Sequence, residues 1–323
     1  MKALVCSALQ PDYAGVALEE RPVPEPGPSE VRVRIKAASL NFPDLLMTEG
    51  KYQFKPDLPF VLGMEFAGEV DALGEGVTDF APGEAVVGGN KIGAFSEFAV
   101  VPAAVVRRKP ASISFAAAAS YSAAYLTAYV ALIRRGNLQP GETLLVHGAS
   151  GGVGLAAVDV GRLLGAVVIA TSASAAKRDI LKAYGADHVL PESGFREAVK
   201  ALTGGRGADV IFDPVGGDVF DESVRCIAFD GRLLVIGFAS GRIPSVAVNM
   251  PLIKGFSVVG VRAGEYGRRF PERGRENMAA IWKWAEEGKV HPRIHARVPL
   301  SDWRRAFDMM RSREVVGKVV IEM

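Results

Sequence analysis

The segment Val146-His147-Gly148-Ala149-Ser150-Gly151-Gly152-Val153-Gly154 puts glycines where a buried strand would turn into a helix. A glycine at 151 lets backbone N–H groups approach a pyrophosphate, and Gly154 lets the new helix sit against the strand. The spacing Ala149-x-Gly151-x-x-Gly154 is a dinucleotide fingerprint with its first glycine replaced, and it has meaning only inside a βαβ unit. That context is present. An apolar run at 143–147 precedes the turn, a helical pattern follows it, and 167–171 supplies a second strand. Ser150, Gly151, Gly152 and Val153 are therefore expected to form a pyrophosphate turn. At the end of the second strand an acid would bind the ribose 2′-hydroxyl of NAD. Here the chain runs Thr171-Ser172-Ala173-Ser174-Ala175-Ala176-Lys177-Arg178. Small hydroxyls followed by two cations suit a 2′-phosphate, so Ser172, Lys177 and Arg178 point to NADPH over NADH. The alternative is that Lys177 and Arg178 are the solvated face of the next helix.

A turn of this kind needs a parallel sheet to hold it. Strands are expected at 143–147, 167–171, 188–190, 210–213, 232–236 and 256–261, with helices between them. Six such strands indicate an α/β fold with a doubly wound parallel sheet. The first 110 or so residues read differently: Val31-Arg-Val-Arg-Ile-Lys36 alternates with period two, and Pro and Gly punctuate the runs around it. This is a β-rich domain with many turns. A helical approach spans 116–119 and 121–133, and the tail adds a helix at 275–287, a strand at 294–298, a helix at 302–310 and a strand at 318–321. A β segment after a completed six-strand sheet is expected to return to the N-terminal domain. Residues 1–122 with 266–323 are thus assigned to one discontinuous domain and 123–265 to the nucleotide-binding domain.

Composition bounds the function. The 323 residues suffice for two cores, and 49% hydrophobic content with 36 glycines fits a folded α/β enzyme. A net charge of +2 implies neither nucleic acid nor an acidic membrane surface as partner. Cys6 and Cys226 lie far apart without metal-type spacing, so no disulfide framework or zinc cluster is expected. The initial apolar run is too short for a signal segment, and no membrane span is expected. The chain reads as cytoplasmic.

The order of a β-rich domain, an A-S-G-G-V-G nucleotide domain and a returning tail resembles the medium-chain dehydrogenase/reductase superfamily, most of all its zinc-free quinone oxidoreductase branch. Ser39-Leu-Asn-Phe-Pro-Asp-Leu45, Gly63-Met-Glu-Phe-Ala-Gly-Glu-Val70 running into Gly74 and Gly76-Val77, residues 146–154, and Phe212-Asp-Pro-Val-Gly-Gly217 carry the resemblance. It implies that the β-rich domain is GroES-like and catalytic. It also implies cofactor contacts at Asn41, at Thr127, at Phe238 and Ala239 after the fifth strand, at Gly260 and Val261 after the sixth, and at Arg313 and Lys318 in the tail. Related enzymes place a tyrosine near the adenosine phosphate where this chain has Pro191.

The zinc alcohol dehydrogenases of the same superfamily carry a Cys and a His where Asn41 and Met64 stand here. Neither replacement is a competent ligand for a catalytic zinc. His147, His188, His291 and His295 have no carboxylate or thiol constellation about them, and Pro292 breaks any helix aligning the last two. All four are read as structural, and no metal is expected. Without a Lewis acid the acceptor must already be electron-poor, so hydride is expected to go to a quinone or another conjugated carbonyl compound. Asn41 and Tyr52 are the candidate catalytic residues; Tyr52 reads equally well as a proton donor and as an aromatic wall. Asp44 and Glu65 resemble an acid/base pair, though Glu65 reads as structural. Three functions stay open: an NADPH-dependent quinone reductase, an enoyl thioester reductase using Arg262, Arg268, Arg269 and Arg273 against a coenzyme A phosphate, and a non-catalytic NADPH-binding structural or regulatory protein. The four arginines also read as a solvated basic loop. The apolar strand at 256–261 suggests a twofold homodimer with Val258 or Val259 near the axis.

Overall fold

The structure is a computed structural model that describes residues 1–290 and 292–323. His291, one of the four histidines read as structural, lies outside the described residues. The chain divides after Ser122 into two units, the first built from Met1–Ser122 and the tail 292–323, the second from Ala123–Val290.

In the second unit, six strands among the described residues form one parallel sheet in the order His188–Leu190, Val167–Thr171, Thr143–Val146, Ala208–Asp213, Ile227–Val235, Ser257–Gly260. This is the doubly wound order, with the switch point beside Thr143–Val146. Thr143-Leu-Leu-Val146 is buried along its whole length, as a central strand covered on both faces must be. Gly161, on the helix Gly152–Leu163, shows how closely that helix approaches: a Cβ there would lie 2.5 Å from the Leu144 side chain. The fifth strand is longer than the sequence suggests. It starts at Ile227 and passes through Asp230 at φ 62° and Gly231, an irregularity that interrupts its hydrophobic pattern.

The first unit holds a mostly antiparallel sheet in the order Ile294–Pro299, Lys318–Glu322, Glu30–Ser39, Glu65–Leu73, Ala85–Gly89, Val106–Arg108, with Phe98–Pro102 also on Glu30–Ser39. The tail strand Lys318–Glu322 pairs antiparallel with Glu30–Ser39, so the tail does return to the N-terminal unit. The core around Tyr13, Phe95, Trp303 and Phe307 is joined by edge-to-face ring contacts.

One boundary needs correction. Residues 266–290, assigned above to the first domain, pack with the second unit. The helix Pro271–Glu286 is held there by Arg134, whose Nε donates to Asn277 Oδ1 at 2.8 Å and whose Nη2 donates to Glu276 at 2.7 Å. Its starting point at Pro271, and the preceding helix Ala263–Arg269, were not visible in the periodicity because charged residues and glycines fill the first turns of the one and most of the other. Among the described residues no helix is long and apolar enough to cross a membrane.

Candidate functional site

The nucleotide turn is built by three glycines with different tasks. Gly148 takes φ +53°, which reverses the chain after the strand. A Cβ on Gly154 would lie 2.4 Å from the Gly148 carbonyl oxygen and 2.6 Å from the Ala149 Cα, so only glycine allows the helix to start this close. Gly151 differs. It caps the twelve-residue helix Gly152–Leu163 at φ −75°, and a Cβ there meets nothing nearer than the Gly148 oxygen at 3.5 Å. Among the described residues no side chain caps this helix end, so its first N–H groups have no side-chain acceptor and the positive end of the helix dipole lies behind them.

The second strand end supplies the neighbouring wall. Ser172 is buried, and its carbonyl accepts from Arg178 Nη1 at 3.0 Å, while the Ala173 carbonyl accepts from the same nitrogen at 3.2 Å. Arg178 thus folds back over residues 172–173 instead of extending into solvent. Lys177 is half-buried on the same first turn of the helix Ala175–Tyr184, and 171–178 contains no carboxylate. His147 ties this strand end to the turn. Its Nδ1 lies 2.9 Å from Thr171 Oγ1 and its Nε2 lies 2.8 Å from Ser223 Oγ. Ser223 donates its own proton to the Val219 carbonyl, so it accepts from His147 Nε2–H, and Nδ1 then accepts from Thr171. Burial pushes the His147 pKa down to about 3, fixing a neutral structural imidazole.

In the first unit Asn41 sits at the start of the short helix Phe42–Thr48. Its backbone N–H donates to Asp44 Oδ2 at 2.8 Å, which fixes the entry to the helix. Its side-chain Nδ2 donates to Glu65 Oε1 at 3.0 Å and to the Ser39 carbonyl at 3.2 Å. Lys318 Nζ donates to Asn41 Oδ1 at 2.6 Å and to Glu65 Oε1 at 3.1 Å. Glu65 and Lys318 form a buried ion pair, with their side chains 5% and 6% exposed. Asp44 is fully buried, and burial raises its pKa to about 7. Lys318, expected as a cofactor contact, therefore commits two of its three donors to Asn41 and Glu65. The sequence did carry a signal for this: a lone Lys in the buried strand Lys318–Glu322 needs a carboxylate partner.

Two family models match, "Zinc-binding dehydrogenase" over residues 152–283 and "Alcohol dehydrogenase GroES-like domain" over 27–111. The chain is 40% identical to a quinone oxidoreductase-like protein 2 homolog of Nematostella vectensis, over 91% of this chain and 82% of the relative. It superposes on the Escherichia coli quinone oxidoreductase complexed with NADPH with a TM-score of 0.91 at 29% identity, covering all of both chains. An NAD-dependent alcohol dehydrogenase structure gives a TM-score of 0.91 at 33% identity, again over all of both chains. The chain belongs to the medium-chain dehydrogenase/reductase superfamily. Quinone oxidoreductases and quinone oxidoreductase-like proteins are among its relatives there, and the β-rich unit is the superfamily's GroES-like domain.

Parts of this superfamily hold zinc, and the residues here do not fit one. An ammonium already occupies Asn41 Oδ1 and Glu65 Oε1, Met64 offers a thioether, and among the described residues no group of three or more His, Cys, Asp or Glu side chains is placed to hold a metal. His295 Nδ1 accepts from the Val316 N–H at 3.4 Å, a backbone contact within the tail, and His188 is half-buried in its strand.

The remaining expected contacts fall in their own units. In the second, Thr127 is half-buried and donates to the Ala123 carbonyl at 2.7 Å, its hydroxyl turned back along the helix Ser122–Tyr129. Asp213 Oδ1 accepts from the N–H groups of Val215 and Gly216, at 2.8 and 2.9 Å, and so shapes the loop after the fourth strand. Phe238 and Ala239 lie against that loop: Ala239 N–H donates to the Pro214 carbonyl at 3.0 Å, and a Cβ on Gly216 would strike the Phe238 ring at 2.9 Å. Gly260 has open space where a Cβ would be, while Val261 is buried and its N–H donates to Val235. In the first unit Tyr52 is half-buried against the core, and Arg313 is exposed. Of the four arginines after the sixth strand, Arg268 and Arg269 both pair with Glu265, at 3.1 and 2.9 Å, and Arg273 donates to the Tyr266 hydroxyl at 3.1 Å.

Proposed function

We propose that the protein is an NADPH-dependent reductase of quinones and related conjugated carbonyl acceptors, working without a metal ion. The observation that supports this reading is that Asn41, which stands where the zinc enzymes of the superfamily carry a Cys, accepts a hydrogen bond from the Lys318 ammonium beside Glu65. A bound reduced nicotinamide supplies the hydride. An acceptor that delocalises the resulting charge onto oxygen needs no Lewis acid. The uncapped N–H groups behind Gly151 suit a pyrophosphate, and the hydroxyl and cationic side chains at 172–178 suit a 2′-phosphate. The NADPH complex of the Escherichia coli relative supports the same choice. Turnover with a quinone and with a short enoyl thioester, assayed side by side, tests the substrate class. The quinone is expected to be the better substrate, because Arg268 and Arg269 are already paired with Glu265 and offer less to a coenzyme A phosphate. A thioester preferred tenfold or more, roughly the effect of one retained charge-assisted contact, would reverse the assignment.

Cofactor preference is testable at one residue. Lys177→Ala is expected to weaken NADPH about tenfold, since a charge-assisted hydrogen bond contributes about 1.5–3 kcal/mol and ~1.4 kcal/mol is a factor of ten, and to leave NADH nearly unchanged. Equal losses for both cofactors, measured by titration of binding, would remove Lys177 from the phosphate site.

The same reading includes a homodimer. Among the described residues the strand Ser257–Gly260 pairs only with Ile227–Val235, so its outer edge has no strand partner there, and Val258 on it is exposed. Phe229, Val248, Leu252 and Ile253 are each at least 70% exposed in the segments next to it. An unpaired apolar edge with such surroundings suits a twofold copy of itself. Light scattering is expected to show a dimer at micromolar concentration and a monomer for Val258→Lys. A monomeric wild-type protein would contradict the assignment.

A further inference from the structure

The turn that suits a pyrophosphate and the cations that suit a 2′-phosphate sit on two different helices, Gly152–Leu163 and Ala175–Tyr184. Each crosses between neighbouring parallel strands, so the two run in the same direction, side by side on one face of the sheet. A cluster well below their first residues fastens one to the other. Asp159 Oδ2 accepts from the Tyr184 hydroxyl at 2.7 Å and from the Tyr125 hydroxyl at 2.5 Å. Nearly one turn further along the same helix, Arg162 Nη1 donates to the Tyr184 carbonyl at 3.3 Å. Gly185 follows at φ +116°, and a Cβ there would lie 2.5 Å from that guanidinium, so the close approach requires glycine. Burial, with the Asp159 carboxylate beside them, holds both phenols above their usual pKa, and each stays a donor. At the start of Ala175–Tyr184 the tie is looser: Arg178 reaches the Ser172 and Ala173 carbonyls through a long side chain with many rotamers.

Lys177 stands seven positions before Tyr184, and Gly152 seven before Asp159. Seven residues make nearly two whole turns, about 10.5 Å along the axis, so Lys177 and Tyr184 share one face of their helix. The bond between Tyr184 and Asp159 therefore sets the axial register of Lys177 against the N–H groups at the start of Gly152–Leu163. We infer that Asp159 is a positioning residue for cofactor choice: through Tyr184 it holds the two helices in the register that presents Lys177 to the 2′-phosphate of a nucleotide whose pyrophosphate lies at the glycine turn. The inference rests on the NADPH reading above and deepens it. A slip of one residue moves Lys177 by about 1.5 Å, enough to carry a charge-assisted hydrogen bond out of range. The pyrophosphate contacts, which belong to the other helix, do not change. Tyr125, on the helix Ser122–Tyr129, fastens a third helix to the same carboxylate and has no part in that register.

Binding titrations of NADPH and NADH to the whole chain test this, with thermal unfolding alongside. Tyr184→Phe keeps the ring and deletes the hydroxyl that reaches Asp159. It is expected to weaken NADPH roughly three- to tenfold, up to the effect of losing the Lys177 contact itself, and to leave NADH unchanged. Tyr125→Phe deletes a hydroxyl from the same carboxylate, and its ratio of NADPH to NADH affinity is expected to equal that of wild type. A merely structural cluster would instead lower the unfolding temperature of both variants and weaken both cofactors alike. The decisive arm is a double-mutant cycle. Once Lys177→Ala has removed the ammonium, its register no longer matters, so adding Tyr184→Phe is expected to cost NADPH nothing more. An unchanged ratio in Tyr184→Phe, the same shift in ratio in Tyr125→Phe, or additive losses in the double variant would each overturn the inference while the NADPH reading stands. Wild-type protein that binds the two cofactors equally would overturn the NADPH reading, and this inference with it.

Discussion

Gly151→Val is expected to abolish NADPH binding while leaving the fold in place. The backbone at 151 has φ −75°, which valine adopts without strain, and its Cβ would meet only the Gly148 carbonyl oxygen at a comfortable 3.5 Å. Exchanging a glycine for a poor N-cap residue costs the helix about 1 kcal/mol. The γ-methyls, however, stand in the space over the uncapped N–H groups where a pyrophosphate would lie. A loss of at least about 100-fold in affinity is expected, ~2.7 kcal/mol. Gly154→Ala is the contrasting variant. Its Cβ would press within 2.4 Å of the Gly148 oxygen, and backbone must move, so it is expected to lose stability by about 1–3 kcal/mol or more. Calorimetric titration of NADPH beside thermal unfolding separates the two effects. Wild-type affinity in a folded Gly151→Val protein would disprove the cradle.

The second large effect is a pH-dependent stability that His147 imposes. Its pKa falls from 6.5 to about 3 on folding because the ring is fully buried. Above pH 6.5 the imidazole is neutral in both states and its contribution is intact. As the pH falls from 6.5 toward 3, the unfolded chain takes up a proton that the folded one refuses, and stability is lost by about 1.4 kcal/mol per pH unit. Asp44 acts oppositely: with its folded pKa raised to about 7, stability grows as the pH drops from 7 to 3.8. The intact protein therefore partly masks the histidine, and a variant is needed to reveal it. His147→Gln keeps a donor for Ser223 but loses the acceptor for Thr171 and the tilted ring contact with Phe195. It is expected to be about 2 kcal/mol less stable at pH 7.5. That gap should shrink by about 2 kcal/mol at pH 5 in urea titrations. A gap that does not change with pH would show that the histidine is not held as a buried neutral base.

The nucleotide unit was legible in the sequence because its signals are local. The strand Val167–Thr171 and the short strand His188–Leu190 fall at the expected residues, since each is a β-branched or apolar run bounded by turn formers. The glycines at 148 and 154 likewise encode the turn, the first by its positive φ and the second because a Cβ there would meet backbone at 2.4 Å. The helices around 263–286 were harder, because their glycines and arginines blur the apolar period. Least visible was the Asn41, Glu65 and Lys318 cluster. Its hydrogen bonds span 277 and 253 positions of chain, and they exist only because the tail strand pairs with Glu30–Ser39. The family resemblance gave Lys318 a cofactor role; tertiary pairing gives it Asn41 and Glu65 as partners.

The most direct test of the reductase assignment is the stoichiometry of NADPH oxidation by purified protein with a simple quinone, in the presence and absence of a metal chelator. One hydroquinone formed per NADPH consumed, at the same rate with and without chelator, is the predicted result. NADPH that binds but is not consumed, or a rate that the chelator abolishes, would contradict it.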